Sequence, residues 1–218
     1  MTACAHVRPD SLFLKLTGAI HQRCASSRRV RVLAAAIRDL GITPGRWLDI
    51  GCGDGRLAQA VMESTPDVEI VGVDVRPRPD AVIPVSTMDG QHLNYPDGAF
   101  TGTILVDVLH HAKEPVAVLT EAARVSRRAI IIKDHLCRNT VDRLILSFMD
   151  WFGNAPSGVE CPRRYLSPSQ WEALFRQTRL NPEVLRSRLD LYPAAFRWLF
   201  DRDMHFVARL EKGDTAAS

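Results

Sequence analysis

The sequence predicts an α/β protein with a doubly wound, Rossmann-like sheet. Seven strands are expected, mostly parallel, with a C-terminal antiparallel strand pair. Three observations carry this. Apolar, β-branched runs recur at about 46–50, 68–75, 100–111 and 129–136. Segments with apolar residues at helical spacing separate them, the pattern of βαβ units with right-handed crossovers. In WLDIGCGDGRLA, residues 47–58, a strand runs through a glycine turn into a helix.

Each element follows from local chemistry. RRVRVLAAAIRDL (28–40) has helical spacing, and Gly41 stops it before the first strand at 46–50. A helix over 55–64 ends near Pro66, and VEIVGVDV (68–75) is the second strand. RPRPD (76–80) is a proline-rich loop. AVIPVS (81–86) is a weaker third strand, which Pro84 places at an edge. FTGTILVDVLHH (100–111) contains a fourth strand buried on both faces. EPVAVLTEAARVS (114–126) is a helix with Pro115 in its first turn, and AIIIKDHL (129–136) is the fifth strand.

The remainder departs from the alternation. Residues 138–153 read as helix and 153–168 as a Gly/Pro/Ser-containing loop. SPSQWEALFRQT (167–178) is a helix capped by Ser167, with Pro168 at its start. EVLRSRL (183–189) and DMHFVARLEK (203–212) are expected to pair as antiparallel strands, and the final GDTAAS to be disordered.

Composition narrows the partners. The 218 residues suit one α/β domain. A net charge of +3, from 28 basic and 25 acidic residues, supplies no basic excess that argues for nucleic acid. The five cysteines (Cys4, Cys24, Cys52, Cys137, Cys161) are scattered without a C-x-x-C pair, which argues against a disulfide framework and a structural zinc site. SLFLKLTGAI near the N-terminus is interrupted by Lys15, too short to span a bilayer and unlike a signal peptide. A soluble, cytoplasmic protein is expected, with peripheral membrane contact left open and the oligomeric state undetermined.

The glycine turn carries the chemistry. Gly51, Gly53 and Gly55 allow positive φ and close approach of a ligand, and the strand–turn–helix unit aims backbone N–H groups over the turn. A dinucleotide fingerprint would need glycine where Arg56 stands. Asp49, just before the glycines, suits a ligand with a cationic amino-acid portion. D-x-G-x-G-x-G in this setting resembles the first motif of class I S-adenosylmethionine-dependent methyltransferases, and residues 28–135 carry the resemblance. It implies S-adenosyl-L-methionine as cofactor and no metal. Asp49, Gly51, Cys52 and Gly53 would surround the methionine portion and Asp74 would bind the ribose hydroxyls, with Val75 beside it also contacting the cofactor. Asp89 and Gly90 would lie by the adenine. Asp107, Val108 and Leu109 would form the wall on the sulfonium side. Cys52 reads as a small space-filler rather than a nucleophile.

The fourth strand narrows the acceptor. DVLH at 107–110 is unlike the [DN]-P-P-[YF] of amino-methyltransferases acting on nucleobases, and no proline–cysteine pair stands at that edge for C5 chemistry. LHH is similar to the small-molecule branch that includes quinone-biosynthesis enzymes. The resemblance implies one domain with N-terminal lid helices (1–27), a cofactor-binding core (28–135), an acceptor-pocket insertion (136–166) and a closing helix and strands (167–212). Phe148, Met149, Trp151, Phe152 and Tyr165 either line a pocket for a small apolar or aromatic acceptor or bury one helix face. RRY at 163–165 either contacts an anionic group or is solvated. His110, His111 and His135 are candidate general bases, with local packing the alternative for His110. Asp134 reads as a hydrogen-bonding residue at a strand end. The competing functions are a non-catalytic cofactor-binding partner or sensor, and an RNA or protein methyltransferase.

Overall fold

The computed structural model describes residues 26–154 and 164–212. The expected lid helices, the GDTAAS tail and most of the 153–168 loop lie outside the described residues. Helix α1 (Ser26–Asp39) leads through Gly41, with φ +79°, to strand β1 (Gly45–Ile50). Helix α2 (Arg56–Ser64) and strand β2 (Val68–Asp74) complete the first βαβ unit. Strand β3 (Val85–Thr87), strand β4 (Phe100–Val106), helix α3 (Pro115–Val125) and strand β5 (Ser126–His135) follow. Helix α4 (Thr140–Asn154), helix α5 (Pro168–Gln177), strand β6 (Leu180–Arg186), helix α6 (Ala194–Phe200) and strand β7 (His205–Lys212) close the sheet.

The seven strands stand in the order β3-β2-β1-β4-β5-β7-β6, and β7 runs against both of its neighbours. The winding direction reverses between β1 and β4, whose register pairs Ile50 with Leu105. Ligands of open α/β sheets bind outside the strand C-termini at such a switch point. Gly51 and Asp107 therefore flank the crevice.

Strand alternation feeds two cores. Trp47, Ile70, Ile104, Ile131 and Val207 face α1 and α2, where Leu33, Ile37 and Val61 cover them. Leu48, Val71, Leu105, Ile132 and Phe206 face α3 and α5, against Leu119, Trp171 and Phe175. Each fully buried side chain of this size is worth roughly 1.5–3 kcal/mol, so the layers hold the sheet more than helix propensity does. A third cluster of Cys137, Leu146, Tyr165 and Met204 seats α4. No described helix is long and apolar enough to cross a membrane.

The main departures from expectation are three strand boundaries and one additional helix. The third strand begins only at Val85, because Val82 N–H turns aside to Asp54 O at 2.9 Å and Pro84 has no N–H to give. Its place at the sheet edge matches the reading of Pro84. Strand β5 starts at Ser126, directly after α3, rather than at 129. Strand β6 occupies 180–186 instead of 183–189, since Arg179 at φ +54° turns the chain at once after α5. Pro182 is accommodated on that edge strand beside a register shift. The seven-residue α6 was not expected, being too short to establish a helical period. By contrast, α5 has the foreseen start: Ser167 and Gln170 form a reciprocal capping box, with Pro168 in the first turn.

Candidate active site

The turn after β1 is tied to β2: the N–H groups of Gly51 and Cys52 donate to Val73 O at 2.8 and 3.3 Å. Gly51, Gly53 and Gly55 have φ of +73°, +59° and +76°. A Cβ on Gly51 would fall 2.6 Å from Val108 Cγ2, and one on Gly55 2.4 Å from Ile83 Cγ1. A Cβ on Gly53 would meet no atom within 4 Å. Two glycines thus serve packing, and the central one keeps a space open. Cys52 fills the floor, its Sγ only 2.3 Å from where a Cβ on Gly72 would stand. Burial, then the charges of Asp49 and Asp74, push its thiol up, away from nucleophilic character.

Two carboxylates face this turn. Asp74 Oδ2 accepts from Gly53 N–H and Oδ1 from Arg76 N–H, both at 2.9 Å, which couples the end of β2 to the central glycine. Asp49 is buried, and burial, with Asp74 beside it, pushes its carboxyl up to about 8. Among the described residues neither forms an ion pair with Lys, Arg or His. A buried carboxylate and a half-buried one, without a basic partner among the described residues, fit a ligand that brings its own positive charge, and the open space over Gly53 fits one that approaches the backbone closely. The residues present therefore suit S-adenosyl-L-methionine.

Further along the sheet edge, a Cβ on Gly90 (φ +90°) would stand 3.4 Å from Cγ1 of the exposed Val75. Asp89 is exposed, and bonds from the N–H of His92, its ring and the N–H of Gln91 hold it down to about 2. Its carboxylate is organised by its own loop.

Asp107 stands directly after β4. At φ +57°, it turns its carboxylate inward, accepting from Lys133 Nζ at 2.5 Å and from Arg29. Burial opposes its charge, but Lys133 and Arg29 hold it well below the usual carboxylate range. The cause is Lys133, wholly buried in the sheet and in need of a counter-ion. Leu109 has its side chain in the core, and its N–H donates to Asp134 Oδ2 at 3.1 Å. Val108 is the one of the three whose side chain reaches the glycine turn.

Beyond Asp107 the fold gathers the histidines. His110 Nδ1 donates to Asp134 Oδ1 at 2.7 Å, and His135 N–H donates to the same oxygen at 2.7 Å. His110 is 1% exposed, and its Nε2 makes no hydrogen bond while lying 3.7 Å from Asp150 Oδ2. The His111 ring centre is 4.0 Å away, and its buried Nδ1 is also without a hydrogen bond. Tyr165 donates its hydroxyl to Asp150. His135 and His205 meet Nδ1 to Nδ1 at 3.1 Å, and His205 Nε2 donates to Phe200 O at 3.0 Å. That chain gives His135 the donated Nδ1–H and leaves a lone pair on its Nε2, 3.5 Å from Asp107 Oδ1. Burial, then Lys133, holds both of these rings well below the usual histidine range. Burial also lowers His110, but Asp134 outweighs it and the net direction is upward. His111 is lowered by burial and by His110.

Sequence reasoning missed Arg29, Asp150 and His205. An acid within the apolar run LILSFMDWF was the available signal for Asp150. The absence of metal-ligand spacing in the sequence did not anticipate the groups brought together here: Asp107, His110, Asp134 and His135, and His110, His111 and Asp150. Of the aromatic segment, Tyr165 is buried, Met149 packs in the third cluster and Phe148 is exposed, while the side chains of Trp151 and Phe152 lie outside the described residues. Arg164 donates to Lys113 O; Arg163 is not among the described residues.

A glycine cradle flanked by two acids without a basic partner among the described residues, at the switch point of a sheet closed by one reversed strand, defines a class I S-adenosylmethionine-dependent methyltransferase. The chain belongs to the methyltransferase-domain family, whose model matches residues 21–183. Solved structures share the fold. A chain of the complex between the Haloferax volcanii Trm112 methyltransferase activator and a methyltransferase superposes with TM-score 0.66 at 14% identity, over 94% of this chain and 98% of that one. An S-adenosylmethionine-dependent methyltransferase from Mesorhizobium loti gives 0.59 at 14% identity, over 82% and 96%. The [4+2]-cyclase SpnF gives 0.61 at 17% identity, over 84% and 80%. No curated protein matches the chain in sequence.

Proposed function

We propose that this enzyme transfers the methyl group of S-adenosyl-L-methionine to a small, apolar or aromatic acceptor in the cytoplasm. The observation that carries the reading is one continuous sheet edge with the basic-partner-free pair Asp49 and Asp74 at one end and the His110–His111–His135 cluster at the other. The cofactor supplies a methyl carbon on a sulfonium, open to in-line displacement by an acceptor lone pair. Asp49 ionises against the amino-acid portion, and Asp74, already fixed by Gly53, receives the ribose hydroxyls. Gly51, Cys52 and Gly53 form the floor, Val108 the side wall, and Val75, Asp89 and Gly90 the adenine end. The histidine cluster takes the proton that an acceptor heteroatom sheds.

Residues 28–135 hold the cofactor and 136–166 shape the acceptor side in this reading. Balanced charge and the DVLH sequence favour a small acceptor over RNA. Cys52 and Cys137 are free thiols, in keeping with a reducing compartment. The likeness to a cyclase keeps a second reading in view, a cofactor-binding protein without methyl transfer. Native mass spectrometry of the purified protein separates the two. Bound S-adenosylhomocysteine, and label transfer from methyl-labelled cofactor to apolar phenols or amines, support the enzyme. Bound S-adenosylmethionine that never converts, with every acceptor unlabelled, refutes it.

A further inference from the structure

We propose that His110 Nε2, His111 Nδ1 and a carboxylate oxygen of Asp150 form a site for a divalent transition-metal ion. One ligand atom from each of the three residues lies within 4.8 Å of the other two, and His110 Nε2 is 3.7 Å from Asp150 Oδ2. Tetrahedral ligands on zinc at about 2.0–2.1 Å stand about 3.4 Å apart, a distance small side-chain rotations reach. Both imidazole nitrogens are buried and make no hydrogen bond, so each is available to a ligand, and the Asp134 bond leaves the lone pair of His110 on Nε2.

The surroundings are those of a ligating histidine. Metal-bound imidazoles donate their other N–H to a carboxylate, which fixes the ring and its tautomer. His110 does this: Nδ1–H is held by Asp134, itself held by two backbone N–H groups, so Nε2 points at Asp150. Tyr165 orients Asp150 in the same way. The neighbouring group of Asp107, His110, Asp134 and His135 fits less well, because Lys133 already occupies Asp107 and His110 already occupies Asp134. Two imidazoles and one carboxylate suit Zn²⁺, Fe²⁺ or Co²⁺ over Mg²⁺ or Ca²⁺. The ion would clamp α4 to the loop after β4. On the methyl-transfer reading above, it would commit His110 and His111 and leave His135 to receive the proton.

The test uses the full chain, stripped with EDTA and titrated with Co²⁺ while visible d–d absorption is followed. One saturating equivalent, displaced by Zn²⁺, is the expected result. Asp134→Asn should weaken Co²⁺ about 10–100-fold by removing the orienting carboxylate. His111→Gln and Asp150→Asn should each abolish the saturating equivalent. His111 is only partly buried, so its variant is the one least prone to misfold. Failure of the parent protein to take up Co²⁺, or equal uptake by both ligand variants, overturns the proposal. Calorimetry with S-adenosylmethionine on the stripped protein runs alongside: no heat there would strike the cofactor reading and leave the metal result standing.

Discussion

Lys133 and Asp107 meet at 2.5 Å beneath the crevice, the lysine wholly buried and the aspartate also gripped by Arg29. Breaking a buried pair from one side leaves an uncompensated charge, a loss of about 3–5 kcal/mol. Asp107→Asn should therefore lower the unfolding free energy by about that much in a denaturant titration. Lys133→Met in the same background should restore part of it. An unchanged midpoint for Asp107→Asn would contradict the pairing.

Asp49 makes the cofactor-free protein pH-sensitive. Its folded carboxyl titrates at about 8 and its unfolded one at 3.8, so the folded state binds the extra proton between those values. Stability contributed by this group falls as pH climbs from about 4 to about 8. A cationic ligand reverses the preference, and cofactor binding at about pH 6.5 should release a proton. Calorimetry in two buffers of different ionisation enthalpy reads that release directly. Asp49→Asn should eliminate it; a proton count near zero for the parent protein would contradict the burial of an unpaired acid.

The three glycines of the turn should separate into two behaviours. Gly53→Val puts its side chain into open space, at a backbone cost of about 1–2 kcal/mol for positive φ, and should leave a folded protein that no longer binds cofactor. Gly55→Ala drives a methyl to 2.4 Å from Ile83 and should lower the melting temperature more than Gly53→Val does. The reverse order in thermal denaturation would mean that the central glycine serves packing.

Asp74→Ala should weaken cofactor binding by roughly 1.5–3 kcal/mol for each charge-assisted bond lost. It also frees the N–H groups of Gly53 and Arg76. Titration calorimetry at matched pH measures this, and an unchanged Kd would remove Asp74 from the ribose. His110→Ala should reduce turnover while leaving that Kd near the parent value; equal turnover would return the ring to packing alone.

The legible parts of this protein are those set by neighbouring residues. Asp49 and the alternating glycines announce the turn because strand end, φ sign and helix start all lie within 47–58. Ser167 and Pro168 announce a helix start for the same reason. The hidden parts are contacts across the sheet. Arg29 reaches Asp107 from 78 positions away, and His135 meets His205 across 70. No local period encodes such meetings. Nor did LHH reveal that Asp134, one register along the neighbouring strand, would set the His110 tautomer. The β6 start was obscured by Arg179, whose left-handed backbone no glycine advertised.

The reversed direction of β7 has a bearing on biosynthesis. Because that strand runs backwards, its first residue, His205, and not its last, stands beside His135. The residues of the cradle all precede β5, so they leave the ribosome first. The ring chain from His135 to Phe200 waits until β7 has emerged and slotted between β5 and β6. The nucleoside-binding end of the sheet edge is thus synthesised ahead of the strand that completes the histidine centre.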